Sequence, residues 1–140
     1  MPLPPVHGLA ALSPYFKNKK LLDPLALEAG ATFVDLESFV YILLGQSMDH
    51  QWFHSYLVAL TIYPVLAGLF VFCTERFLEG NVRSAYAKLK FQTTQVKYAP
   101  LTIYLCCLAG GLTHLLFDMW THQNLPYIIY PIQTGNPFFI

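Results

Sequence analysis

Two long stretches of the chain are almost purely apolar. Residues 56–73 contain no charge over eighteen positions, and a helix of that length rises about 27 Å, close to the thickness of a hydrocarbon core of about 30 Å. Residues 99–117 form a second such stretch, in which His114 is the only charged or basic residue and Gly110 and Gly111 permit a close approach between helices. The pattern predicts two transmembrane helices.

Shorter apolar segments flank these two stretches. Residues 36–46 are apolar over about three turns but include Glu37, which predicts a half-span or a helix packed on the bundle. Residues 2–16 and 21–34 are too short to cross a membrane easily and predict a short re-entrant hairpin. Residues 125–132 have a proline near each end and two tyrosines, which favours an interfacial segment.

The composition supports a membrane protein. Hydrophobic residues make up 55% of the 140 residues and charged residues only 11%, the mean hydropathy is +0.44, and soluble domains contain about 25% charged residues. The formal net charge of zero gives no basic surface for a nucleic-acid partner. We therefore expect a single membrane-embedded domain over residues 1–140. Its predicted fold is an all-α membrane bundle of two transmembrane helices plus two or more short or re-entrant helices, with membrane lipid as a partner.

The basic residues predict the orientation of the bundle. Residues 75–98, between the two predicted spans, contain five Lys and Arg residues, whereas residues 49–54 and 118–140 contain none. Because basic loops remain on the cytoplasmic side, residues 75–98 are expected to be cytoplasmic. The opposite ends of both spans are then expected on the extracytoplasmic side.

Histidines gather at those opposite ends. His50 and His54 are four residues apart before the first span, and His114, Asp118 and His122 repeat that spacing at the end of the second. Residues four apart lie on one face of a helix. Because the spans run antiparallel, both groups are expected at one level of the membrane.

Each of these residues also has a simpler explanation when it is taken alone. Asp35 can cap a helix that begins at Leu36, His7 can be exposed near the terminus, and a histidine at a helix end commonly makes an ordinary hydrogen bond. Asp118 is harder to explain, since a carboxylate close to a span is costly unless it is paired or bound to a metal. Together the residues predict a site for a divalent metal, most simply zinc, with manganese or iron as alternatives. The predicted ligands are His7, Asp35, His50, His54, His114, Asp118 and His122.

So many ligands exceed the need of one zinc ion, which predicts either two ions or one ion with a catalytic shell. Glu37 is the predicted general base, and Asp118 is the alternative for that role.

Four short motifs, in order along the chain, resemble a known family. They are a proline-containing segment over residues 3–7 that ends in His7, a Gly-x-x-x-Val-Asp-x-Glu stretch over residues 30–37, the pair His54–Ser55, and His-x-x-x-Asp-x-x-Thr-His over residues 114–122. This pattern is similar to the small membrane-bound metal-dependent hydrolase-like proteins, a group that includes uncharacterised inner-membrane proteins of bacteria and archaea. Val34 stands where that family usually has proline, which loosens the turn into Asp35.

The resemblance implies a membrane-bound hydrolase of the cell inner membrane. In such an enzyme a metal-activated water would attack an ester or phosphoester, and the substrate would be lipid-derived or a small phosphoester. Three alternatives remain open on the sequence alone. The same ligands would serve a membrane metal carrier or sensor without turnover, and His54 and His114 on facing helices would serve a subunit that binds haem through two histidines. A purely structural membrane subunit is the third.

Overall fold

The fold is known from a computed structural model, which describes residues 11–13, 15, 21–45, 53–91, 95–123, 125–132 and 136–138. Within these ranges the chain is all-helical, with five helices and no strand. The helices are α1 (Pro24–Phe33), α2 (Leu36–Leu43), α3 (Tyr56–Phe77), α4 (Glu79–Lys88) and α5 (Pro100–Thr121).

Helices α3 and α5 contain 22 residues each and are long and apolar enough to cross a membrane. The two predicted spans, residues 56–73 and 99–117, lie almost entirely within them. Both helices continue about one turn beyond the predicted ends, to Phe77 and to Thr121. The polar residues in these extra turns, Glu75 and Asp118, are buried against neighbouring segments, so they do not end the helices.

The start of α3 is fixed by polar contacts. The Ser55 hydroxyl caps the helix by accepting a hydrogen bond from the Val58 amide at 3.3 Å, as serine commonly does at helix N-termini. The Tyr56 amide donates to the Ile128 carbonyl at 3.1 Å. Residues 125–132, predicted as an interfacial segment, form turns in which Leu125 and Ile128 are buried. This segment therefore covers the end of the bundle at which α3 begins.

Helix α1 occupies most of the predicted 21–34 segment and packs closely against α5. A Cβ atom added to Gly30 would lie 2.1 Å from the Cys107 carbonyl oxygen, and one added to Gly110 would lie 2.1 Å from the Leu27 carbonyl oxygen. The two backbones are thus in direct contact, as small residues allow. The prediction that glycine permits close helix approach is confirmed at Gly110, and its partner across the contact is Gly30.

Helix α2 lies within the predicted 36–46 segment and ends at Leu43, followed by Gly45 with a φ of 69°, a left-handed conformation that favours glycine. One side of α2 is apolar and exposed, including Phe39 and Leu43. Residues 75–98 also contain a helix that was not predicted, α4, whose Val82 and Tyr86 side chains are buried. The short apolar stripe of α4 was not recognised in the sequence, because basic residues surround it in this region.

Candidate metal centre

Four of the predicted ligands come from three separate segments and meet at one end of the bundle. Asp35 lies in the turn between α1 and α2, His54 directly precedes the cap of α3, and His114 and Asp118 lie in the last two turns of α5. Because α3 begins at the end where α5 finishes, the antiparallel arrangement expected from the sequence brings these residues together. His54, His114 and Asp118 are each 1% exposed, and Asp35 is partly buried.

Asp35 lies between the two histidines. Its Oδ1 atom is 3.4 Å from the His54 Nε2 atom and 3.5 Å from the His114 Nε2 atom, and one ligand atom from each of the three residues lies within 4.8 Å of the others. A tetrahedral zinc ion with bonds of about 2.0–2.1 Å separates its ligand atoms by about 3.3–3.4 Å. The two separations from Asp35 match this value, and the third is at most 4.8 Å, so the three residues could hold one divalent ion.

Asp118 adjoins this group and contacts three histidines. Its Oδ2 atom lies 2.9 Å from His114 Nε2 and 3.8 Å from His54 Nε2, and its Oδ1 atom lies 3.3 Å from His122 Nδ1. The shortest of these distances lies within the range of an ion pair between an imidazole and a carboxylate. Asp118 can therefore either pair with the imidazoles or bind the ion as a fourth ligand. His122 contacts Oδ1, the other oxygen of this carboxylate.

The carboxyl group of Asp35 is directed to the histidines rather than to the backbone. Asp35 is the N-cap residue of α2, but its side chain makes no capping hydrogen bond, so the helix-cap explanation does not account for it. Burial raises the pKa of the Asp35 carboxyl. The hydrogen bond with His54 and the charges of His114 and His54 lower it by a larger amount, so the pKa lies below its ordinary value. Asp35 is therefore an ionised, anionic donor.

Tyr63 joins the two segments that hold Asp35 and His54. Its hydroxyl lies 2.5 Å from the Phe53 carbonyl oxygen and 3.4 Å from the Val34 carbonyl oxygen. The hydroxyl has one proton, so the shorter contact is the main hydrogen bond and the longer one is secondary. Phe53 precedes His54 and Val34 precedes Asp35, and Tyr63 is therefore a positioning residue for both ligands. Sequence reasoning missed it, although a hydroxyl two turns into an apolar helix was a signal that a polar partner is nearby.

Glu37 lies in an apolar groove beside the cluster. It is half-buried in the first turn of α2, two residues after Asp35. The groove has a volume of about 270 Å³, and Leu36, Glu37, Val40, Tyr41 and Phe53 line it. Two of these residues are direct neighbours of ligands, since Leu36 follows Asp35 and Phe53 precedes His54. The groove thus reaches the margin of the candidate metal centre.

The structure brings Asp35, His54, His114 and Asp118 together and places His122 next to Asp118. Glu37 lies in the neighbouring groove. His7 and His50, the two remaining predicted ligands, lie outside the described residues.

One family matches the chain. Its description is "Domain of unknown function (DUF4184)", it matches residues 1–129, and the chain therefore belongs to this family. No curated protein matches, and no solved structure matches.

Proposed function

We propose that this protein is a membrane-bound, metal-dependent hydrolase. The observation that supports this proposal is the convergence of two imidazoles and two carboxylates from three separate segments at one end of the bundle. Burying four such groups has a high cost in free energy unless they are paired or hold an ion. Imidazole and carboxylate together are a donor set typical of zinc, manganese and iron sites.

Asp35, His54 and His114 would hold the ion, with Asp118 as a fourth ligand or as a nearby negative charge that attracts the ion. A bound divalent ion would supply Lewis acidity, which makes water a nucleophile near neutral pH. His114 Nε2 must be deprotonated to bind the ion, so binding would displace any proton that this atom shares with Asp118. The ring of His54 reaches the same centre from the segment that leads into α3.

The remaining acid of the region, Glu37, would act as the general base. Its carboxyl group is two residues from Asp35 and lies in the groove by which a substrate would reach the centre. A carboxylate at this position can accept a proton from the attacking water and return it to the leaving group. Asp118 is less suited to this role because the contacts with His114, His54 and His122 already engage its two oxygens.

The apolar groove supports a lipid-derived substrate. Its lining is apolar except for the carboxyl group of Glu37 and the hydroxyl of Tyr41. On the outer side of α2 and at its C-cap, the side chains of Phe39, Leu43 and Leu44 are 57–70% exposed. In a bilayer these side chains would contact acyl chains, so an ester or phosphoester of a lipid could enter from the membrane. The five basic residues of 75–98 favour an extracytoplasmic position for the centre, in the cell inner membrane.

Among the alternatives, a metal carrier or sensor is the closest rival because it would use the same ligands. A haem held by His54 and His114 is disfavoured, since Asp35 Oδ1 lies within 3.5 Å of both Nε2 atoms and occupies the space that a porphyrin needs.

Two measurements on the purified full chain test the proposal. Elemental mass spectrometry should find close to one equivalent of a divalent metal, and the loaded protein should hydrolyse short-chain ester or phosphoester reporters presented in mixed micelles. Glu37→Gln should retain the metal and lose at least a hundredfold in turnover, the range typical for loss of a general base. Equal turnover in Glu37→Gln would remove Glu37 from the mechanism. Metal without turnover on any reporter would favour the carrier, and a chain without metal after supplementation would overturn both.

A further inference from the structure

A second buried acidic pair lies at the other end of α3. Asp23 directly precedes α1, Glu75 lies in the last turn of α3, and both are 0% exposed. The two carboxyl groups lie close enough to interact directly with each other. His54 and Glu75 flank opposite ends of α3, about 30 Å apart along the helix axis. The pair is therefore separate from the candidate metal centre.

Neutral donors satisfy one oxygen of each carboxyl group. Asp23 Oδ1 accepts hydrogen bonds from the Tyr86 hydroxyl at 3.2 Å and from the Leu25 amide at 3.0 Å. Glu75 Oε2 accepts a hydrogen bond from the Tyr98 amide at 3.1 Å. The other two oxygens, Asp23 Oδ2 and Glu75 Oε1, are buried and receive no donor from the described residues. Each carboxyl group therefore has one oxygen left for its partner carboxyl.

The surroundings of the pair supply little positive charge. Arg76 is the nearest cation, but its guanidinium group donates to the Tyr98 carbonyl oxygen at 3.4 Å, and no Lys or Arg of the described ranges forms an ion pair with Asp23 or Glu75. From α5, the Cys106 thiol accepts a hydrogen bond from the Asp23 amide at 3.4 Å. The titratable and charged groups around the pair are Tyr86 from α4, Cys106 and Cys107 from α5, Arg76 from α3, and Tyr98.

Two ionised carboxylates in contact would repel each other strongly in this dry environment. A hydrogen bond between two carboxyl groups also requires a proton on one of them. We propose that Asp23 and Glu75 bind one proton between them, and that this shared proton holds α1 and α4 against the end of α3. Burial raises the pKa of the Asp23 carboxyl, which agrees with this assignment. The proposal does not depend on the function proposed above.

The shared proton makes the stability of the fold depend on pH. The folded chain retains a proton that an unfolded carboxyl group, with a pKa of about 4, has already released. Because the folded state binds more protons, this contribution to stability is greatest at low pH and is lost as the pH rises from about 4 towards the raised pKa of the Asp23 carboxyl. Helices α1 and α4 are the elements expected to loosen first, since Asp23 caps α1 and Tyr86 lies on α4.

Infrared spectroscopy of the full chain in detergent at about pH 7 tests the proposal. The parent should show the carbonyl band of a protonated carboxyl group. Asp23→Asn and Glu75→Gln should each lose the intensity of one such group, because the new amide donates the hydrogen bond that the proton supplied. Glu79→Gln is the control, since Glu79 is an exposed acid paired with Arg83 and Lys97. Its band should equal that of the parent.

Thermal unfolding provides a second test of the shared proton. The midpoint temperature of the parent should fall between about pH 5 and about pH 8, and that slope should be smaller in both amide variants. A parent without the protonated-carboxyl band, or a band unchanged in both variants, would overturn the proposal. If the variants do not fold, the parent alone decides: its band and midpoint temperature must decrease together as the pH rises, and independent changes would refute the shared proton.

Discussion

The Nε2 atom of His114 lies 2.9 Å from the Oδ2 atom of Asp118, one helical turn away on the same face of α5. Both side chains are 1% exposed. A carboxylate in such a position is stable only with a close donor or cation, and the imidazole provides one. The four-residue spacing thus places a candidate histidine ligand and a carboxylate that could bind the same ion within one helix.

Asp118→Asn is expected to lower bound metal at least tenfold, equivalent to about 1.4 kcal/mol of binding free energy. The amide keeps the size of the side chain but removes the negative charge that binds or attracts the ion. Elemental mass spectrometry of parent and variant, purified in the same detergent, measures the effect. Glu79→Gln, which alters an exposed acid at the other end of the bundle, is the control and should bind as the parent does. Equal metal in Asp118→Asn at full helicity would exclude Asp118 from the centre.

Tyr63→Phe is expected to weaken metal binding by about twofold to tenfold, the range for loss of one hydrogen bond of about 0.5–1.5 kcal/mol. The ring should keep its edge-on packing against Phe53, with centroids 5.5 Å apart, so the helical content should not change. Metal titration of both proteins gives the ratio of dissociation constants. Tyr104→Phe, a second tyrosine on a long apolar helix, is the matched control. If both substitutions weakened binding equally, Tyr63 would have no specific role in positioning Asp35 and His54.

The antiparallel helix pair and the core of the site were predictable because their signals are local. Uncharged stretches of fixed length specify α3 and α5, and the four-residue spacing specifies a shared helix face for His114 and Asp118. The expectation that the two ends coincide then requires only that the helices run antiparallel. Asp35 was also predicted, because it forms a pair with Glu37 in the stretch over residues 30–37 that resembles a family motif.

The rest depends on tertiary contacts that leave no periodic signal. Tyr63 acts through the backbone of Phe53 and Val34, and backbone acceptors are invisible in a sequence. Asp23 and Glu75 are 52 positions apart, and each alone reads as an ordinary acid at a helix end. The contact between Gly30 and α5 could not be predicted either, because it depends on the absence of a side chain.

The orientation of the bundle stays a prediction that cysteine labelling can test. Ser84→Cys lies on the exposed face of α4, and Gln123→Cys lies just beyond α5 and is also exposed. A membrane-impermeant thiol reagent added to intact cells should label the second variant and not the first, in a background in which the native thiol of Cys73 is replaced. Permeabilised cells should label both. The reverse pattern in intact cells would place the candidate metal centre on the cytoplasmic side.

Substitution by alanine is expected to affect stability differently at two adjacent glycines of α5. In Gly110→Ala the new Cβ would lie 2.1 Å from the Leu27 carbonyl oxygen and 2.9 Å from the Ala31 amide nitrogen. These are backbone atoms, so α1 and α5 must separate, at a cost of about 1–3 kcal/mol or more in the free energy of unfolding. In Gly111→Ala the nearest atom, the Gly30 carbonyl oxygen, lies at an ordinary 3.5 Å. That variant should match the parent or gain up to about 1 kcal/mol from better helix propensity.

Thermal unfolding in one detergent compares the three proteins. Because both substitutions add one methyl group to the same helix, a general effect of alanine would shift both variants alike. Equal midpoint temperatures for Gly110→Ala and Gly111→Ala would show that α1 does not touch α5 at Gly110.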